Sequence, residues 1–406
     1  MKLYVSAHIW LCCSALLAGA TRSGFYVDNG LDQTEIQRGL SEREQREVEH
    51  GILHLLGIPR RPRAVPVAGS APKFLLDVYK SLLEPSADGL PQSEFNISGA
   101  DLSVIDKSDV IMGFVSHSHH STSVRHERGK RLWFDVSEVP VEETIIGAEL
   151  RLYQQANSTV TLSSALYTIT VYQLVDAGQG EELEYVSAVN TTADAEGWLL
   201  LNTTGPLVSW VAFPRTNLGL HVTVRPAHHP GHEIRPEDIG IVSSKGEEDR
   251  KPFMVAFFKS SNHRETHIRT TRETRGRRKS NTSHAEVSHM SYPFIDNAGH
   301  SSRSCQMKML YVNFRDLQWE DWIIAPEGFP AYYCSGECNF PLNAHMNATN
   351  HAIVQTLVHL MNPLQVPKPC CAPTKLGPIQ LLYYLEDSSV TLKRYKNMVV
   401  KSCGCH

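Results

Sequence analysis

From position 14 to position 304 the chain has no cysteine, a stretch of 291 residues, whereas seven cysteines fall between Cys305 and His406. The larger part therefore has no disulfides of its own and must fold by burying apolar surface, so the two parts rest on different physics. A bias of charge is also lacking. Lys+Arg number 39 against 43 Asp+Glu, and a division after Arg278 leaves −5 on the first part and +1 on the second. Neither part is a polyelectrolyte, and nucleic acid is not an expected partner. No apolar run reaches the roughly 20 residues that span a bilayer. A His-Glu-x-x-His helix and a Gly-x-Ser-x-Gly elbow are both missing, which removes two common signatures of a secreted hydrolase. No catalytic residue, cofactor or resident metal is expected.

What is present begins with Lys2, the apolar residues 10–17 and the small residues Ala18-Gly19-Ala20. This is the pattern of a signal peptide, residues 1–20, cut after Ala20. Cys12 and Cys13 leave with it, and the remaining seven thiols enter an oxidising lumen where disulfides persist. The expected location is secreted and extracellular. Six Asn-x-Ser/Thr sequons, at Asn96, Asn157, Asn190, Asn202, Asn281 and Asn347, suit that route as glycosylation acceptors.

Residues 264–279 hold seven Lys or Arg in sixteen positions and end Arg275-Gly276-Arg277-Arg278-Lys279. So charged a stretch buries no core and reads as an exposed linker. Arg275, Arg277 and Arg278 fit the Arg-x-Lys/Arg-Arg pattern cut by furin-like convertases, with cleavage after Arg278. Subtraction leaves a proregion, 21–278, and a mature chain from 279, whose polar residues 279–304 read as a flexible tail.

In the proregion, residues 40–57 are expected to be a helix with Ser41 as cap and an apolar face of Val48, Ile52, Leu55 and Leu56. A second helix is expected over 71–83, with Pro72 in its first turn and Phe74, Leu75, Val78, Tyr79 and Leu82 on one face. From about position 131 the pattern shifts to strands, at 132–136, 150–153, 168–174, 218–224 and 254–258. The expectation is a helical arm followed by a β-rich arm domain. Such exposed helices either clasp a partner surface or pack on their own domain.

Residues 305–406 contain Pro-rich loops and β-prone stretches at 309–314 and 381–385. A two-stranded ribbon is marginal alone, and disulfides stabilise it by about 2–4 kcal/mol each through restriction of the unfolded chain. Six of the seven cysteines sort into Cys334-Ser335-Gly336-Glu337-Cys338, Cys403-Gly404-Cys405 and the separated Cys305 and Cys371, leaving Cys370 over. An odd thiol in a secreted chain suggests a bond between chains. Composition leaves the pairing open. Were Cys334 joined to Cys403 and Cys338 to Cys405, the two short segments would close a ring through which a third bridge could pass, with Gly336 and Gly404 keeping the hole clear. Zinc is the competing use of such spacings, and export together with the absence of Cys-x-x-Cys knuckles argues against it.

Cys334-Ser335-Gly336-Glu337-Cys338, Pro367-Lys368-Pro369-Cys370-Cys371-Ala372-Pro373 and the terminal Cys403-Gly404-Cys405-His406 resemble the cystine-knot growth factors of the transforming growth factor β superfamily. Phe314-Arg315-Asp316-Leu317, residues 319–328 and residues 347–358 resemble its bone morphogenetic proteins, closest to the glass bottom boat and osteogenic protein subgroup. The likeness covers 305–406 and extends more loosely to 52–63 and 71–79.

This resemblance implies a mainly β fold: a cystine-knot growth factor domain of two β fingers plus one helix, 305–406, preceded by an α+β proregion. It implies bridges Cys305–Cys371, Cys334–Cys403 and Cys338–Cys405, with Cys370 bonded to its counterpart in a second chain. The helix would span about 350–361, with Ile353, Val354, Leu357, Leu360 and Met361 on one face and Pro363 ending it. Type I receptors would meet Trp319, Trp322, Phe340, Pro341, Leu342 and Met398, and type II receptors Ala325, Pro326 and Leu392. The implied molecule is a secreted precursor whose processed homodimer or heterodimer with related ligands assembles both serine/threonine kinase receptors and triggers SMAD signalling in development. Its other partners would be its own propeptide, held noncovalently, extracellular antagonists and the convertase. The alternative is a secreted cystine-knot antagonist or matrix protein.

Overall fold

A computed structural model describes residues 24–28, 34–39, 41–58, 61–62, 69–83, 95, 97, 99–117, 130–156, 165–178, 180–260, 304–342, 344–386 and 389–406. The expected signal peptide, the cleavage residues Arg275, Arg277 and Arg278, the tail 279–303, and Asn96, Asn157 and Asn281 lie outside the described residues.

The chain divides into two compact units, Met1–Pro62 and Arg63–His406. The first contains the antiparallel pair β1 (Gly24–Asp28) and β2 (Thr34–Gly39), then helix α1 (Glu42–Leu55). This helix lies where residues 40–57 were expected to form one. It ends at Gly57, whose φ of 70° places it in the left-handed region that glycine enters without strain, and whose N–H donates to the His54 carbonyl at 3.0 Å.

The second unit opens with α2 (Ser70–Leu83) and α3 (Gly99–Lys107). On α2, Ala71, Phe74, Leu75, Val78 and Tyr79 are buried at helical spacing, so one stripe faces a core. Ser70 Oγ donates to the Lys251 carbonyl at 2.7 Å and ties down the start of this helix. Next come β3 (Val110–Val115), β4 (Lys130–Leu132), β5 (Thr144–Gln154), β6 (Leu166–Asp176), β7 (Glu181–Thr192), β8 (Gly197–Asn202), α4 (Thr204–Ala212), β9 (Leu220–Pro226) and β10 (Phe253–Lys259). The expected strands at 150–153, 168–174 and 254–258 lie within β5, β6 and β10, and β9 begins two residues after the expected 218. Of 132–136 only Leu132 enters a strand. Phe134 and Val136 still reach the core, from irregular backbone.

The C-terminal part contributes β11 (Gln306–Lys308), β12 (Tyr311–Asn313), β13 (Ile323–Ala325), β14 (Gly328–Pro330), β15 (Tyr333–Ser335), α5 (Asn350–Met361), β16 (Cys371–Tyr384) and β17 (Val390–Cys405). The last two form a long antiparallel hairpin, and β12 pairs with β14 as a short second ribbon. The fold is mainly β, as expected.

Two sheets organise this unit. One has strand order β4-β9-β6-β7, and the other runs β13-β16-β17-β3-β10-β5-β8. Val110, Met112 and Phe114 of β3 point into the sandwich core with Leu150, Met254 and Val222, while Ile111 points to the other face, where α2 packs. Both faces of β3 and β10 are thus buried. This explains why Val-Ile-Met-Gly-Phe-Val and Phe-Met-Val-Ala-Phe-Phe read as continuous apolar runs without alternation. The larger sheet crosses the boundary expected from sequence: β17, after the basic linker, pairs with β3, before it, through Val390–Gly113, Thr391–Met112, Leu392–Ile111 and Lys393–Val110.

Candidate functional site: the knot, the bare helix and the covered finger

Six of the seven described cysteines are joined as Cys305–Cys371, Cys334–Cys403 and Cys338–Cys405, with Cα separations of 5.4, 5.7 and 5.9 Å. Strands β16 and β17 bring the bridges together, since Cys371 lies opposite Cys405 in the ladder and Pro373 opposite Cys403. The sulfurs of Cys305, Cys338 and Cys405 fall within 4.8 Å of one another. Each belongs to a disulfide, so none is the thiolate that a metal would require. Gly336 has φ 120°, and a Cβ there would collide with the Ser304 carbonyl and Cys305 N, so the segment carrying the threading bridge needs that space. Gly404 has another reason. A Cβ there would come within 2.6 Å of Asn347 O and 2.7 Å of Thr374 Cγ2, so its neighbours are the loop before α5 and the strand β16, rather than the third bridge.

Cys370 is exposed and unbonded. Its backbone N–H donates to His406 O at 2.8 Å and its carbonyl accepts from His406 N at 3.0 Å, which fixes the residue at the knot end of the hairpin. Helix α5 is capped by Thr349, whose Oγ1 accepts from Ala352 N at 3.1 Å. Ala352 and Thr356 are buried on the inner side. On the outer side Ile353, Val354, Leu357, Leu360 and Met361 are 42–78% exposed. Contiguous apolar exposure on this scale marks an interaction face.

The residues expected to meet receptors are placed as follows. Phe340 and Pro341 are exposed and Leu342 and Met398 half-buried, while Trp319 and Trp322 are 2% and 1% exposed. The two indoles pack 5.4 Å apart, Trp319 stacks on Phe314, and Trp322 meets Tyr383 edge-on at 5.8 Å. Both tryptophans therefore serve a finger core here instead of standing out as exposed anchors. Pro326 is half-buried. Ala325 and Leu392 are buried in one cluster with Ala71, Phe74, Leu75, Val78 and Tyr79 of α2 and Ile111 of β3. Helix α2 thus clasps a finger surface as well as packing on its own sheet.

A TGF-beta propeptide profile matches residues 29–257, and a transforming growth factor beta like domain profile matches 304–405. The chain belongs to the transforming growth factor β family. It is 45% identical to Protein 60A of Drosophila virilis over all of this chain and 99% of that one, and 46% identical to Protein 60A of Drosophila melanogaster over 95% and 92%. Bone morphogenetic protein 8A of Mus musculus is 38% identical over 91% of this chain and 92% of its own. The chain is a growth-factor precursor of the bone morphogenetic protein type and not an enzyme. Ligands of this family are secreted, dimerise and bind receptors.

In family terms the seam joins the propeptide, through α2 and β3, to the growth-factor domain, through β16 and β17. Beyond the ladder, Arg394 N–H donates to the Asp109 carbonyl at 2.9 Å. Polar groups of the finger lose water here. Burial holds the Lys393 ammonium below its ordinary pKa against the pull of Glu143, and pushes the Tyr383 hydroxyl up to about 12 and that of Tyr395 well above its usual value. Thr391 Oγ1 is buried without a hydrogen-bond partner. Sequence reasoning missed β3 as a partner of the finger, and the unbroken apolar run at 110–115 was the available signal.

Three sequons can be followed in the structure. Asn190 Oδ1 accepts from Thr168 Oγ1 at 2.9 Å and Asn202 Oδ1 from Thr204 N at 2.9 Å, so each bonds through its oxygen on an exposed residue. Asn347 differs, because its Nδ2 donates to Cys403 O at 3.1 Å.

Proposed function

We propose that this chain is made with a signal peptide cut after Ala20, is cleaved after Arg278 by a furin-like convertase, and acts as a dimer bonded through Cys370. The dimer brings type I and type II serine/threonine kinase receptors together and drives SMAD signalling in development. The observation that carries this is the bare apolar face of α5 in a domain that also holds one exposed thiol at a fixed position. Full burial of such side chains is worth about 1.5–3 kcal/mol each, and a second copy offers a matching surface by two-fold symmetry. Every epitope is then presented twice, and membrane-bound receptors gain by avidity.

Type II receptors would use Ala325, Pro326 and Leu392, a surface that α2 covers before release. Type I receptors would use Phe340, Pro341, Leu342 and Met398, with Trp319 and Trp322 supporting that surface from the finger core. The propeptide has no cysteine after signal removal, which supports noncovalent retention. Purified processed ligand should be captured by immobilised type I and type II ectodomains, and Leu342→Pro should weaken only type I capture. A monomeric product, or a dimer captured by neither ectodomain, would overturn the proposal.

A further inference from the structure

One strand of the propeptide carries a fully buried cation. Arg151 of β5 donates from Nη1 to the Phe95 carbonyl at 3.1 Å and from Nη2 to Glu149 Oε2 at 2.9 Å, and Asp101 Oδ2 of α3 lies 3.8 Å from Nη2. Its guanidinium carbon sits 4.4 Å from the ring centroid of Phe74 on α2. Nε is buried without a partner. A well-packed apolar side chain costs less in such a place than an incompletely bonded charge, so stability of the sandwich alone does not account for an arginine.

What the guanidinium accomplishes is a junction. It ties α2, the turn at Phe95 and α3 to a single strand. Phe74 is held between it and the rings of Phe95 and Phe253, at 5.4 and 5.6 Å. The same helix packs against β16 and β17 of the growth-factor domain. We propose that Arg151 is the positioning residue that seats α2 over the finger, so that a contact outside the growth-factor domain sets how tightly the propeptide retains it. A planar fork suits the task because it stacks on the ring while its bonds fix direction, which sets the rotation of α2 as well as its position. An aliphatic residue would only fill volume.

The inference rests on the reading that α2 covers the type II surface, and its test is independent of receptors. In the full-length chain, Arg151→Lys keeps the charge but loses fork and plane, and Phe74→Leu keeps apolar bulk but loses the ring. After cleavage, both complexes should release the growth-factor domain from immobilised propeptide about tenfold faster or more. Hydrogen exchange should quicken in α2, β16 and β17 while β6, β7 and β9 stay protected. Wild-type release from the Phe74→Leu complex would overturn the proposal, as would protection lost evenly across both propeptide sheets. A wild-type complex that captures type II ectodomain freely would instead refute the covering role of α2 and leave the exchange result standing.

Discussion

Gly113 offers the sharpest test of how propeptide and growth factor share a core. It lies in β3 opposite Val390 of β17 on one side and Val255 of β10 on the other. A Cβ there would stand 3.2 Å from Ala71 Cβ and 3.4 Å from Leu75 Cδ1, both on the buried face of α2. Gly113→Val adds two further methyl groups to that crowded space and must lift the helix. Overpacking of this kind costs about 1–3 kcal/mol. Were the chain cleaved after Arg278 as proposed, α2 would remain tethered to its own domain and the finger would be held only noncovalently, so letting the finger go would relieve the strain. At about 1.4 kcal/mol per factor of ten, retention should weaken between roughly fivefold and a hundredfold. Dissociation of growth factor from immobilised propeptide reads this directly, with Gly113→Ala as a milder step. If Gly113→Val released at the wild-type rate while type II ectodomain stayed excluded, α2 would not be the covering element.

Cys370→Ser should halve the mature species on a nonreducing gel, and a covalent dimer that persisted would move the interchain bond elsewhere. Replacing Arg275 and Arg278 with Ala should leave the secreted precursor uncut, and a fragment beginning at Lys279 in immunoblots of the medium would contradict that. The seam should also respond to pH. Burial raises the Glu143 carboxyl above its ordinary value of 4.5, more than Lys393 lowers it, with Asp109 adding to the rise. Tyr383 and Tyr395 face the same group and stay protonated. With the carboxyl of the separated propeptide at its ordinary value, the assembled state binds the Glu143 proton more tightly, and its contribution is full below about 4.5 and lost as pH rises through the raised value. Release should slow on acidification from about pH 7 to about pH 5, and Glu143→Gln should flatten that slope; acid-accelerated release that the Gln variant leaves unchanged would disprove this assignment.

Local pattern made the helices at 42–55 and 70–83 legible, because apolar residues at helical spacing and Gly57 or Pro72 at the ends act within a few residues. The strands β5, β6 and β10 were legible for the same reason. Cysteine spacing carried the knot only together with the family resemblance. What could not be read was contact between residues far apart along the chain. Nothing in Val-Ile-Met-Gly-Phe-Val names Val390–Lys393 as its neighbour, and nothing in Trp319-x-x-Trp322 says whether the indoles face solvent or Tyr383. Gly404 was recognised as special for a geometric reason, yet the atoms that need the space belong to Asn347 and Thr374.

On the proposed reading, the seam also gives a way for the growth factor to be held and then given up. The β17 edge, left alone, would present unpaired backbone groups beside Val390 and Leu392, a template for unwanted strand addition. Strand β3 satisfies that edge and α2 covers its apolar face. The cover is stabilised by burial but not optimised. Thr391 Oγ1 goes unbonded at a cost of about 1–3 kcal/mol, and Lys393 sheds water that Glu143 only partly replaces. Release of the finger to solvent would recover those losses. Filling the seam with well-packed apolar groups, as in Thr391→Val, should therefore slow release of the growth factor from immobilised propeptide, and an unchanged or faster rate would show that these polar groups do not set reversibility.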